Sequence, residues 1–457
     1  MTRISRAARP RWGVLAAILA IAALSSSGTA AATTPGLVPD ALATPVMKGG
    51  SANGPFPVVG GSHPAQVAHL AIGAGNWTVF AKGLLYNTTS EVLVSRPVRC
   101  VLAVAGAVSD IALASPLGGG ADSSREAFLL TLSVHQTSAG TASLRCAAPG
   151  SATGEIVVTW IHMAAFKTAG LSMGPLGESY QQFGNTAGPS QVYQVRSKVS
   201  VSLPEGAEGP VASIILPAGN WAITAKATVI ETSSSSSAVF SCSLSSPGDL
   251  DRIRGAVDLG GAVADRLPIA LEQVHHFGAS GSVVLNCATT LAGGTTKIRD
   301  IRITAYKTTG LVNKNLQVDP NFAAFGPGVK PVVDAGFVDG PIPITGDSSF
   351  HPMAGMSLQA GKWVIVVKAY LENTSATTFR LVRCRVGPGS GWDIVELQLP
   401  SNGTIDKIQP LVLAWSGSFA ARKKVIFSCR ADGAGVTVNW IKMIAYKAGT
   451  LQTVPIH

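Results

Sequence analysis

Four landmarks recur at a nearly fixed interval. Trp77, Trp221 and Trp363 stand 144 and 142 residues apart, and Cys100, Cys242 and Cys384 stand 142 and 142 apart. Cys146, Cys287 and Cys429 are separated by 141 and 142 residues, and Lys167, Lys307 and Lys447 by 140 and 140. A unit of this length is a whole domain with its own core, not a solenoid turn that needs stacked neighbours. The 457-residue chain therefore reads as three copies of one domain, at 55–172, 190–312 and 340–451. The stretches between copies are rich in Gly, Pro and Asn. They are either flexible linkers or the first strands of the next unit.

Within each copy the apolar period is two, the signature of a half-buried strand. Trp221, Ile223, Ala225, Ala227 and Val229 alternate with Ala222, Thr224, Lys226 and Thr228. Trp363, Ile365, Val367, Ala369 and Leu371 do the same in the third copy, and Trp77, Val79 and Ala81 in the first. A glycine just before each tryptophan provides a tight turn. About seven to nine such strands per copy predict an all-β fold of three tandem β-sandwich, jelly-roll-like domains.

The six cysteines fall two to a copy. Pairing Cys100 with Cys146, Cys242 with Cys287 and Cys384 with Cys429 gives each domain one disulfide, joining neighbouring strands or the two sheets. No short Cys/His spacing suits zinc, so no metal and no cofactor is expected.

The N-terminus explains why an oxidising compartment is available. Arg3, Arg6, Arg9 and Arg11 precede an apolar run from Gly13 to Leu24 and small residues near Ala30–Ala32. Residues 1–32 read as a signal peptide, and 33–54 as a flexible lead-in. Removing the signal lowers the formal charge from +10 to +6, since it carries four arginines and no acid. The mature chain is expected to be secreted or loosely held at the cell envelope, with no membrane span. Asn87, Asn373 and Asn402 begin N-glycosylation sequons, relevant in a host that makes this modification.

No nucleophile elbow, zincin helix or phosphate loop is present. The acids show no pattern shared between copies, and a non-enzyme is expected. Asp249 and Asp251 read as solvated loop acids, and His275–His276 as surface residues. Lys82, Lys226 and Lys368 recur on the second face of the tryptophan strand, and Lys167, Lys307 and Lys447 in the last strand. Both sets read as solvated edge lysines that discourage sheet-to-sheet pairing.

The sharper candidates are aromatic and basic. In the last strand, Ile161, Met163 and Ala165 form a core face. The other face carries Trp160, His162 and Phe166 in the first copy, Asp300, Arg302 and Tyr306 in the second, and Trp440, Lys442 and Tyr446 in the third. That face either packs against a neighbouring domain or stacks on a sugar. The third copy adds Arg383 and Arg385 beside Cys384, with Trp392 and Trp415. The candidate ligand-binding set is thus Trp160, Trp440, Lys442, Tyr446, Arg383, Arg385, Trp392 and Trp415.

The unit resembles the C1q/TNF-like jelly-roll superfamily. The shared features are the Gly219-Asn220-Trp221 turn into an alternating strand and the closing strand Ile301 to Tyr306. The whole chain is similar to tandem-repeat exported proteins of unknown function from actinobacteria. The resemblance implies threefold packing, here as an intramolecular pseudotrimer; the competing picture is three beads on linkers. The expected function is a non-catalytic binding protein at the cell surface, with an envelope polysaccharide or a protein as partner and no nucleic acid. The alternative is a structural envelope component.

Overall fold

The computed structural model describes residues 46–453 apart from 90–95, 105–108, 117–124, 176–180, 185–190, 234–235, 258–264, 292, 309, 316–332, 348, 390 and 401–406. The expected signal peptide and most of the lead-in lie outside the described residues. The described residues are all-β, and each copy is a sandwich of two sheets.

In the middle copy the first sheet is built around Gly219–Glu231, flanked by Thr296–Thr308 and Asp265–Phe277. The second sheet runs Gly209–Leu216, Gly281–Thr289, Ala238–Ser246, Asp249–Val257. The first and third copies repeat this arrangement. Trp77, Trp221 and Trp363 are at most 2% exposed and anchor the three cores. Each indole donates to the carbonyl four residues back, those of Gly73, Pro217 and Gln359, at 2.8, 2.9 and 3.0 Å.

The lysine of the last strand completes this device. Lys167, Lys307 and Lys447 lie 5.9, 5.7 and 5.5 Å over the same three indole rings. Their stems cross Gly75, Gly219 and Gly361, where a Cβ would come within 2.7–3.0 Å of the lysine Cε. The glycine at a positive φ, the tryptophan and the lysine therefore recur together for packing reasons.

The three disulfides form as expected, between strands of the second sheet. The paired cysteines sit directly opposite in register, with Cα atoms 4.1–4.2 Å apart. They suit an oxidising compartment.

The stretches between copies are not simple linkers. Gly170–Pro175 pairs in parallel with Gln191–Ser197, and Leu311–Asn315 with Val333–Val338. Thr450–Thr453, at the end of the third copy, pairs in parallel with Val46–Ala52 of the first. Each copy thus lends a tail strand to the next, and the last tail returns to the first copy. Val46–Ala52, assigned from composition to the flexible lead-in, is a strand paired with Ile156–Thr168. The first domain therefore starts earlier than residue 55.

The second face of the tryptophan strand is buried too. Lys82, Lys226 and Lys368 are 0%, 2% and 0% exposed, which corrects their reading as solvated edge lysines. Lys82 Nζ meets Asp393 at 2.7 Å, Lys226 meets Asp110 at 2.7 Å and Lys368 meets Asp251 at 2.5 Å. Each pair joins two copies: first to third, second to first, third to second. Asp110, Asp251 and Asp393 are spaced 141 and 142 residues apart, so these acids do follow the repeat. Asp251 is a buried strand residue, not a solvated loop acid. Where the three copies meet, Phe166, Tyr306 and Tyr446 form a triangle with ring centroids 5.3–6.3 Å apart. Asn87 and Asn373 are also fully buried, with their amides on main-chain carbonyls, so the folded chain does not present these sequons.

Candidate functional site

A β-bulge in the closing strand sets the site. Pairing with the tryptophan strand shifts register between Thr159 and His162, and the other two copies shift at the equivalent places. The extra residue swaps the inward parity. Ile156 and Val158 face the core before it, and Ile161, Met163 and Ala165 after it. The bulge residues are Trp160, Asp300 and Trp440, at φ 50°, 51° and 48°. Asp tolerates this left-handed backbone; Trp adopts it at a cost on the order of 1–3 kcal/mol. The backbone amides of Trp160 and Trp440 donate to Asn53 and Asp339 carbonyls at 3.0 and 2.9 Å, pinning the turn.

Trp160 projects to the junction between the first and third copies, where it borders two adjoining clefts. One, of about 280 Å³, is lined by Tyr86, Arg125, Thr159, Trp160, Arg383 and Glu396 among others. The second, of about 300 Å³, is bordered by Ser51, Asn53, Trp160, Trp392, Trp415 and Ser416, with His162 and Asp393 deeper in. Trp415 stacks on Phe419 at 5.4 Å and donates its indole N–H to the Gly391 carbonyl at 2.5 Å. Its ring lies across Gly417, where a Cβ would come within 2.3 Å.

The basic residues form a row along this rim. Arg383 and Arg385 share the face of Arg380–Gly387 opposite buried Cys384. Arg383 stands across from Glu396 on one neighbouring strand and Arg430 on the other. Glu396 pairs with both Arg383 and Arg125 of the first copy. Arg125 lies 4.5 Å over Tyr86, and Arg385 lies between Phe350 and Trp392 at 3.9 and 4.1 Å. Burial lowers the pKa of Arg383, reinforced by Arg430 and Arg125; Arg385 shifts the same way through burial and Arg430.

Beneath the cleft, burial pulls Lys82 below its ordinary range and pushes Asp393 above its own, while their mutual contact opposes both shifts. Burial, then the nearby Lys82, lowers His162 to about 3, so its imidazole is neutral. Polar groups such as Ser51, Asn53, Thr159 and Ser416 beside three tryptophans suit a ligand with flat apolar faces and hydroxyls.

The structure thus gathers Trp160, Arg383, Trp392 and Trp415 at one place, with Arg385 alongside. The other three expected residues lie elsewhere. Tyr446 is buried in the central triangle, 4% exposed, and Lys442 is equally buried at the junction of the second and third copies. Trp440 packs against the core of the second copy under Arg252, whose guanidinium is 5.5 Å from its ring. Lys442 and Tyr446 are therefore packing residues. Sequence reasoning missed Tyr86, Arg125 and Glu396, which come together only when the first copy meets the third. His275 is likewise placed otherwise than expected: it is 9% exposed and bonded to Asp249 at 2.6 Å.

No family model matches the chain, and no curated protein matches it. Solved structures similar to it include an archaeal-virus protein described by its triple jelly roll fold and turret assembly. It shows 12% identity over 90% of this chain and 92% of that chain, at a TM-score of 0.20. The STIV MCP matches at 11% identity over 56% of this chain and 96% of that one, with a TM-score of 0.21. The tandem CBM22-1–CBM22-2 domain of Paenibacillus barcinonensis Xyn10C matches at 12% identity over 52% and 82%, with a TM-score of 0.15. Likenesses at these scores carry no argument about function.

Proposed function

We propose that the chain is a secreted, non-catalytic binding protein that holds a saccharide chain of the cell envelope in the cleft between its first and third copies. The observation that carries this reading is the meeting of Trp160, Trp392 and Trp415 around adjoining clefts of about 280 and 300 Å³. Two of these tryptophans have no counterpart in the other copies, and the third sits on a backbone that disfavours it. The bulge itself does not require a tryptophan, since Asp300 fills it in the middle copy. The three copies act together as a single-chain pseudotrimer, an arrangement that fits kinship with C1q/TNF-like jelly rolls. A glycan array and a pull-down on purified cell wall test the reading. Saturable binding that Trp160→Ala weakens at least tenfold supports it, and turnover of any bound glycan would overturn the non-catalytic role.

A structural envelope role has one observation in its favour. The tail strand Thr450–Thr453 pairs with Val46–Ala52 and so ties the third copy back to the first. Absence of saturable binding to any envelope fraction would put this second reading ahead.

A further inference from the structure

Resting on that reading, we infer that the cleft is selective for an acidic polysaccharide, with a uronic-acid carboxylate received by Arg383 and Arg125. The inference comes from how charge is matched in two parts of the same junction. In the interior, Lys82 meets Asp393 one to one, and His162 beside them is neutral. At the rim, Arg125 and Arg383 converge on the single carboxylate of Glu396. The two guanidiniums therefore exceed the carboxylate they share by one positive charge. Arg383 and Arg430 also face each other across neighbouring strands, two cations directly opposed. Burial chiefly lowers the pKa of Arg383, and the neighbouring Arg430 and Arg125 add to the shift.

Geometry favours a chain over a lone anion. Arg430, Arg383 and Glu396 occupy three adjacent strands, a span of roughly 10 Å at 4.8 Å per strand. Arg125 and Tyr86 extend the row onto the first copy. Trp160 and Trp392 border the two clefts this row overlooks. Arg385 is clamped between two aromatic rings, which fixes its guanidinium for a planar, bidentate acceptor. A sugar chain offers ring faces to the indoles and carboxylates at regular intervals to the arginines.

Calorimetric titration of the full chain with oligogalacturonate, its carboxyl-reduced counterpart and polyglutamate tests this. The uronate should bind at least tenfold tighter than the reduced sugar, with an advantage that shrinks as salt rises. Arg383→Gln should remove most of the difference. Glu396→Gln, which frees both arginines, should tighten uronate binding several-fold. Equal binding of the acidic and reduced sugars, still lost in Trp160→Ala, would overturn the acidic selectivity and leave the saccharide site standing. Polyglutamate binding as tightly as the uronate would overturn it in favour of charge alone. Binding of neither sugar would overturn both.

Discussion

The junction between the first and third copies and the junction between the third and second are built from the same parts and end differently. Each has a buried lysine from one tryptophan strand on an aspartate of the other copy, Lys82 with Asp393 and Lys368 with Asp251. Each has a tryptophan at the bulge, Trp160 or Trp440. At the second junction Arg252 covers the indole and Trp440 packs into the neighbouring core. At the first, Trp160 also packs on the neighbouring core, but Ile394 stands where Arg252 stands in the repeat, and the indole borders two clefts. What the junctions share holds the copies together, and what differs marks the candidate site.

The shared part should give the largest effects. Removing one partner of a buried pair leaves an uncompensated charge, which costs about 3–5 kcal/mol. Lys82→Met and Lys368→Met should each lose that much in urea denaturation. The double variant Lys82→Met/Asp393→Leu should recover most of it. If the single variant costs under about 1 kcal/mol, the pair does not hold the copies together.

The junctions should separate next by pH. Burial lowers His162 to about 3, below its unfolded value. The unfolded chain therefore takes up a proton first as pH falls, and stability at this junction is lost from about pH 6.5 downward. At the other junction burial, followed by the charge of Asp251, raises Glu272 to about 8. There the unfolded chain loses its proton first, and stability is lost as pH rises from about 4.5 to 8. Each arm is on the order of 5 kcal/mol at most. His162→Gln should flatten the acid arm alone and Glu272→Gln the alkaline arm alone, as read from denaturation midpoints at several pH values.

Much of the fold was legible because a domain-sized repeat fixes the strands, the disulfides and the core tryptophans at once. The junctions were harder to read. Lys226 on the second face of a strand looks like any solvated lysine until its partner Asp110 is known, and that partner belongs to another copy. The spacing of Asp110, Asp251 and Asp393 carried the signal. The candidate site was half legible. Trp392 and Trp415 stood out by lacking counterparts, but nothing local in the sequence brings Arg125 and Tyr86 to Glu396. Nor does alternation reveal the bulge; Asp300, a residue tolerant of positive φ at the position of two tryptophans, is its one trace.

The bulge tryptophans should give the smallest stability effects, and unequal ones. Trp440→Ala removes a ring packed on a neighbouring core and should cost about 2–3 kcal/mol. Trp160→Gly likewise removes a ring packed on a neighbouring core but relieves a strained backbone, so its cost should be smaller by about 1 kcal/mol or more. Equal losses in thermal denaturation would mean that the positive φ at Trp160 stores no strain that glycine relieves.

Binding separates the same two residues most directly. Titration of purified envelope polysaccharide into Trp160→Ala and Trp440→Ala, side by side with the parent chain, should show at least a tenfold loss for the first and less than a twofold change for the second. Equal losses, or a loss confined to Trp440→Ala, would contradict the placement of the site at the junction of the first and third copies.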